Sequence, residues 1–232
     1  MRARLKDTAI GIFAYNRPSH LKRILISLSN HKLKNLYVFL DGPKNPVDRN
    51  NQDEIKLMVN NFPSQIKLIK RKVNLGLKKS ITSGANYLAS RHSKFIIIED
   101  DCVPFYNFFN YFCNSFKILE NDDDSEVICA YQHPKLTKKF KKYYNLKLDM
   151  FIPWGWGTLS KNWNNYQNSK YVGNLPGIYK NLIKSKNKNS IWSLNYISYI
   201  YNKKKKCIYP SHSMIKNIGF DGSGVNSKNT NL

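Results

Sequence analysis

The stretch that most constrains this chain is Phe95-Ile96-Ile97-Ile98-Glu99-Asp100-Asp101-Cys102, an apolar β-branched run that stops at three consecutive acids. A continuous apolar run of this length predicts a central strand covered on both faces, as in a parallel sheet. Such a strand has no packing use for three carboxylates at its carboxyl end, where they repel one another. A divalent cation or a cationic ligand between them removes that cost, and hard oxygen donors favour Mg²⁺ or Mn²⁺. The same acids would also suit a solvated loop that opens a helix.

Around this run the first half of the chain alternates strand and helix signals, which predicts an α/β fold with a mostly parallel central sheet flanked by helices. Strand signals cover Thr8 to Ala14, Leu36 to Leu40, Ile66 to Ile69 and the run ending at Glu99. Between them lie a helix capped by Ser19 with Leu21, Ile24, Leu25 and Leu28 on one face, a polar helix from Val47 to Asn61, and a helix carrying Leu77, Ile81, Ala85 and Leu88. In such sheets ligands collect at the carboxyl ends of the strands. Asn16-Arg17, Asp41-Gly42, Arg71 to Asn74 and Glu99 to Asp101 all fall there, so one rim gathers acids and bases from four separate segments.

The second half is less regular. A helix is expected over Asn107 to Glu120, a strand over Val127 to Tyr131, a basic loop over Leu136 to Met150, a helix over Ser190 to Tyr201 and a strand over Cys207 to Tyr209. Trp154 and Trp156 stand beside glycines in Trp154-Gly155-Trp156-Gly157, which suits stacking on a sugar ring or an aromatic corner of the core. At 232 residues the chain suits one domain, with residues 1–120 as one half, 121–224 as the other and 225–232 as a frayed tail. Cys102, Cys113, Cys129 and Cys207 lack zinc-site spacing and read as buried thiols.

The formal charge is +23 at neutral pH, with 38 Lys and Arg against 15 Asp and Glu, and a field of that size draws anionic partners. Lys138 to Lys142 and Lys203 to Lys206 are local runs, without the aromatic interleaving of a single-strand nucleic-acid platform. No nucleic-acid partner is expected. With no long apolar segment, the reading is a cytoplasmic protein with peripheral contact to the anionic inner face of the cell membrane.

Taken in order, Tyr15-Asn16-Arg17-Pro18, Asp41-Gly42, Asn74-Leu75-Gly76-Leu77, Glu99-Asp100-Asp101, Trp154-Gly155-Trp156-Gly157 and Asn217-Ile218-Gly219-Phe220-Asp221-Gly222-Ser223-Gly224 resemble the motifs of GT-A nucleotide-sugar glycosyltransferases. The likeness is to bacterial family 2-like enzymes and the N-acetylglucosaminyltransferase I group. It implies a Rossmann-like GT-A domain whose 1–120 half binds a nucleotide-sugar donor and whose 121–224 half faces the acceptor. By that resemblance Asp41 reads the base, Asn16 and Arg17 line the same pocket, Asn74 and Gly76 border the donor, and Asp100 contacts the ribose or sugar. Asp101 would hold Mn²⁺ or Mg²⁺ with Glu99 beside it. Asp221 is the candidate base, Asp149 the fallback, and Trp154 and Trp156 would meet the acceptor. Related sequences often carry a His after the last Gly-Ser-Gly, where this chain has Val225-Asn226, so the second metal ligand is open; His212 reads as structural.

The implied activity is transfer of a sugar, from a UDP-sugar first among donors, to a glycan or lipid-linked acceptor in bacterial surface polysaccharide or lipopolysaccharide synthesis, with inversion. Two other readings compete. A sugar nucleotidyltransferase would share sheet and metal but want a glycine-rich loop after the first strand, and Ala14 to Ser19 contains no glycine. A basic nucleic-acid binder would explain the charge but not the acids.

Overall fold

The computed structural model describes residues 7–31, 33–139, 145–169, 175, 177 and 191–222. The tail 225–232 with Asn226, the pair Ser223-Gly224, Phe140 to Lys142 and Ser190 lie outside them.

Period-two packing builds the centre of the molecule. In β1 (Thr8–Ala14), Ile10, Ile12 and Ala14 point into one apolar layer while Ala9 and Phe13 point into the other. β4 (Lys94–Glu99) does the same with Ile96 and Ile98 against Phe95 and Ile97, all four fully buried. The expected two-sided strand is therefore present; it pairs in parallel with β1, and β2 (Leu36–Leu40) and β3 (Ile66–Lys70) follow on the far side of β1, also parallel, in the order β3-β2-β1-β4.

Beyond β4 the sheet continues through β8 (Trp156–Leu159), β6 (Ser125–Cys129), β9 (Lys206–Pro210) and β7 (Asn145–Leu148). β6 and β9 keep the direction of β4, whereas β7 and β8 run against it, so six of eight strands point the same way. A short antiparallel pair, β5 (Cys102–Pro104) with β10 (Ile215–Asn217), leaves this sheet at the acid motif.

Apolar stripes place the helices. α1 (Pro18–Leu28), α2 (Pro46–Asn60) and α4 (Phe108–Glu120) cover one face; α3 (Gly76–Ala89), α6 (Ser160–Asn168) and α7 (Ser193–Asn202) cover the other. A short α5 (Pro134–Lys139) sits beside the sheet's second half in sequence.

Several boundaries differ from expectation. α1 starts at Pro18 with Arg17 as the flanking residue, not at Ser19, because proline is preorganised for a first helical turn and its missing N–H costs nothing there. Leu77 is 44% exposed although Ile81, Ala85 and Leu88 of the same helix are buried, since the first turn of α3 overhangs the rim. The segment read as a basic loop over Leu136 to Met150 takes in the end of α5 and all of β7, and the strand expected at Val127 begins two residues earlier at Ser125. Cys102, Cys129 and Cys207 are buried free thiols as expected, with Cys113 half-buried. Among the described residues no helix is long and apolar enough to cross a membrane.

Candidate active site

The acid motif lies at the carboxyl end of β4, and what neutralises it is a side chain. Arg17, from the turn between β1 and α1, sends Nη2 to Asp100 Oδ1 and, at 3.2 Å, to Asp101 Oδ2, while its Nε donates to Asp100 Oδ2 at 3.3 Å. The guanidinium thus clamps Asp100 from two nitrogens and touches Asp101 with one. Burial opposes the charge on Arg17, but Asp100 and Asp101 outweigh that and hold it charged. Burial pushes Asp100 up, and Arg17 pulls against it. Burial, then the charges of Asp101 and Asp100, raise Glu99 to about 8; Trp192 Nε1–H donates to its Oε1 at 3.4 Å.

Asp101 is more open than Asp100, its side chain 21% exposed against 9%. Among the described residues, its Oδ1 accepts the weak Cys102 Sγ–H at 3.3 Å. Arg17 Nη1 is buried with no partner among the described residues, an unspent donor beside the carboxylates.

A strap from the carboxyl end of the chain crosses this point. β10 pairs with β5, Ile218 N–H donates to the Asp101 carbonyl at 2.7 Å, and Gly219 lies flat against Asp101. A Cβ at Gly219 would stand 2.5 Å from Asp101 Oδ2, so only glycine allows the strap this close. Phe220 then packs edge-on to Trp154, with ring centroids 5.6 Å apart, and Asp221 Oδ2 meets His20 Nε2 at 2.9 Å. Asp221 remains about half exposed, whereas His20 is buried in the first turn of α1 with Nδ1 unpartnered among the described residues.

The neighbouring loops form the second wall. Asp41 accepts from the N–H groups of Gly42, Leu75 and Gly76 at 2.9, 2.8 and 3.0 Å, and Asn74 Nδ2 donates to the Gly42 carbonyl at 2.8 Å. Asp41 therefore closes the β2 loop onto the start of α3, a loop-building task distinct from the base reading that the resemblance implies. Asn16 Nδ2 and the Tyr15 hydroxyl both donate to Asp48, while Gln52 Nε2 donates to the Asp41 carbonyl at 2.8 Å.

The rim thus assembles Asn16, Arg17, Asp41, Asn74, Gly76, Glu99, Asp100, Asp101, Trp154 and Asp221. Two candidates fall away from it. Asp149 follows β7, which runs against β9, and so emerges at the opposite end of the sheet, paired with Lys206 at 2.6 Å. Trp156 is fully buried among Phe95, Phe151, Trp163 and Trp192, which makes it core and leaves no face for an acceptor. Trp154 keeps a half-buried place at the rim against Tyr131, ring centroids 4.6 Å apart.

His20, Asp48, Gln52 and Trp192 were missed. Asp48 had a visible signal, since Asn45 accepts its N–H at 2.8 Å as a helix cap should, but its bond to Tyr15 spans 33 positions and has no local trace.

Among the described residues no three His, Cys, Asp or Glu side chains gather to hold a metal by themselves. The donor set still fits Mg²⁺ or Mn²⁺ shared with a substrate diphosphate, because such ions use one or two carboxylates and take their other ligands from phosphate and water. Asp101, open and hard, is the residue for that, with Asp100 behind it.

No protein-family model and no curated protein sequence matches the chain. Solved structures do. GalNAc-T7 with UDP, GalNAc and Mn²⁺ superposes over 90% of this chain and 43% of its own, with a TM-score of 0.59 at 11% identity. The mannosyltransferase PcManGT from Pyrobaculum calidifontis, in complex with GDP-Man and Mn²⁺, matches over 88% of this chain and 54% of its own, with a TM-score of 0.54 at 10% identity. TarS residues 1–349 from S. aureus matches over 90% and 59%, with a TM-score of 0.56 at 10% identity. The fold is GT-A. This chain spans 43 to 59% of the length of those three chains. The same sheet also underlies a putative glucose-1-phosphate thymidylyltransferase from Bacillus anthracis, with a TM-score of 0.51 at 9% identity over 87% of this chain, so the fold alone does not choose the chemistry.

Proposed function

We propose that the protein is a metal-dependent glycosyltransferase that moves a sugar from a nucleoside diphosphate, a UDP-sugar first, to a glycan or lipid-linked acceptor, with inversion at the anomeric carbon. The observation that carries this reading is the convergence on one rim of an open Asp101, a charged Arg17 with a spare donor, and a half-exposed carboxylate, Asp221, held by His20. Against the nucleotidyltransferase reading stands the turn Tyr15-Asn16-Arg17-Pro18, which has no glycine to wrap a triphosphate and instead spends its side chains on Asp48, Asp100 and Asp101. A role in bacterial surface polysaccharide or lipopolysaccharide synthesis fits such an acceptor.

In this reading each group of the rim has a role. The turns at Asn16 and Asp41–Gly42, with Asn74 and Gly76, wall the nucleotide end; Asp100, fixed by Arg17, faces the ribose and sugar. Bound Mg²⁺ or Mn²⁺ would stabilise the negative charge that builds on the departing diphosphate. Arg17 Nη1 supports the same charge from the protein side. On the other side of the sugar, the acceptor oxygen forms its bond to the anomeric carbon as the carbon–phosphate-oxygen bond breaks, and the hydroxyl proton passes to Asp221. Trp154 offers a face for the acceptor.

Calorimetric titration of UDP, GDP and CDP, with and without Mn²⁺, into the wild type and Asp101→Ala tests the reading. Metal-dependent binding of one nucleotide, lost in the variant, is the expected result; no binding with metal present refutes it.

A further inference from the structure

The excess positive charge is not evenly opposed, and its distribution marks a face. From Ile55 to Ile98 the sequence contains no Asp or Glu, yet it carries Lys70, Lys72, Lys78 and Lys79 around the turn from β3 into α3. These four lysines are exposed. Asp41, in the loop after β2, and Asp48, in the first turn of α2, are 5% and 3% exposed and spend their oxygens on internal hydrogen bonds, so neither pairs with the lysines. Between the lysines stand Val73, 66% exposed, and Leu77, 44% exposed, with Val47 at 67% in the first turn of α2.

The two loops are one surface. Asn74 binds the Gly42 carbonyl, and a Cβ on Gly42 would lie 2.2 Å from the backbone of Val73. That surface is at the carboxyl ends of β2 and β3, the same rim as Asp101. Apolar side chains projecting between long, flexible ammonium groups match a bilayer interface, where methyl groups enter the headgroup layer and lysines reach anionic phosphates. A soluble anionic polymer would use the charges but gain nothing from exposed valine and leucine.

We infer that the β3–α3 turn, with Val73 and Leu77 as its apolar tip and Lys70, Lys72, Lys78 and Lys79 as its basic collar, docks this protein on an anionic lipid bilayer. Docking stands apart from the transferase reading; its purpose, bringing the rim to a lipid-linked acceptor, rests on that reading. The surface is a property of this chain's own loops, and it turns the general basicity into one oriented contact.

Sedimentation of the full chain with vesicles of phosphatidylcholine, alone or doped with phosphatidylglycerol, tests it. The wild type pellets with the anionic vesicles and not with the neutral ones. K72E/K78E/K79E loses at least about tenfold in partitioning, since each surface lysine contributes substantially to attraction by anionic lipid, whereas K135E/K161E/K203E, with the same change of charge elsewhere, pellets nearly as the wild type. V73S/L77S loses severalfold. Equal loss in both charge-reversal triples would show a diffuse charge effect, unchanged pelleting of V73S/L77S would show an anionic polymer site, and failure of the wild type to pellet would show no bilayer contact; each overturns the inference. UDP binding with Mn²⁺, measured on the same samples, checks folding and keeps the transferase reading separately testable.

Discussion

Arg17 holds two carboxylates with a side chain that is itself only 18% exposed, so its loss leaves Asp100 buried and unpaired. Arg17→Ala is expected to destabilise the fold by about 3 kcal/mol or more, measured by urea denaturation. Asp100→Asn added to that variant recovers part of the loss, because it removes the stranded charge. Arg17→Lys restores the charge but not the two-nitrogen clamp, and should rescue incompletely. His20 and Asp221 form the second pair to separate. Asp221→Asn should lower donor turnover by about 10²-fold or more with little change in donor KM, as loss of a general base does. His20→Ala should lower kcat in the same direction, and the double variant should fall no further than Asp221→Asn, since His20 acts through Asp221; additive losses measured by UDP release would separate them. The acids of this site were legible because three carboxylates after an apolar strand stand out locally. His20 was not, because a histidine in the first turn of a helix looks like any other until the strap arrives 201 positions later.

Among the elements, β6 carries a buried acid that serves no proposed chemistry. Glu126 is 3% exposed, accepts from the Tyr196 hydroxyl at 3.3 Å, and is raised by burial to about 7, with Tyr196 and Lys205 opposing. In the unfolded chain the group ionises near the ordinary carboxylate value, so between about pH 4.5 and 7 the folded state binds more protons and stability falls as pH rises. Glu126→Gln removes the titration and should therefore gain stability relative to wild type by up to about 3 kcal/mol between about pH 4.5 and pH 8, seen in paired denaturation curves. A pH-independent difference would place the proton elsewhere. Strand and helix order in the first half was readable from periodicity because each element there carries its own run of buried positions, all of β1, β2 and the middle of β4 and one face of each helix. β7 was not, because Asn145-Leu146-Lys147-Leu148 owes its strand state to pairing with β9, some sixty positions away.

The whole molecule couples the two halves through the rim, since the strap of the second half lies directly on the acid motif of the first. A ligand bound there should stabilise the entire fold. With Mn²⁺ present, UDP at a hundredfold its dissociation constant is expected to add roughly 2.7 kcal/mol, raising the melting temperature, and EDTA should abolish the increment while leaving the melting temperature of the nucleotide-free protein unchanged. A UDP shift that survives EDTA would remove the metal from the donor site.

Residue order alone determined the parallel core, the two-sided strand at Phe95 to Ile98 and the convergence of polar turns on one rim, because alternation, β-branching and turn chemistry act over a few neighbouring residues. Tertiary structure decided the rest. It made Trp156 core and left Trp154 at the rim, although both stand beside glycines, because burial depends on which sheet face each meets. It sent Asp149 to the far end through the reversed direction of β7, and it brought Arg17, His20 and Asp221 to the acids. Those contacts join segments 83 to 201 positions apart, a distance over which local sequence pattern carries no information.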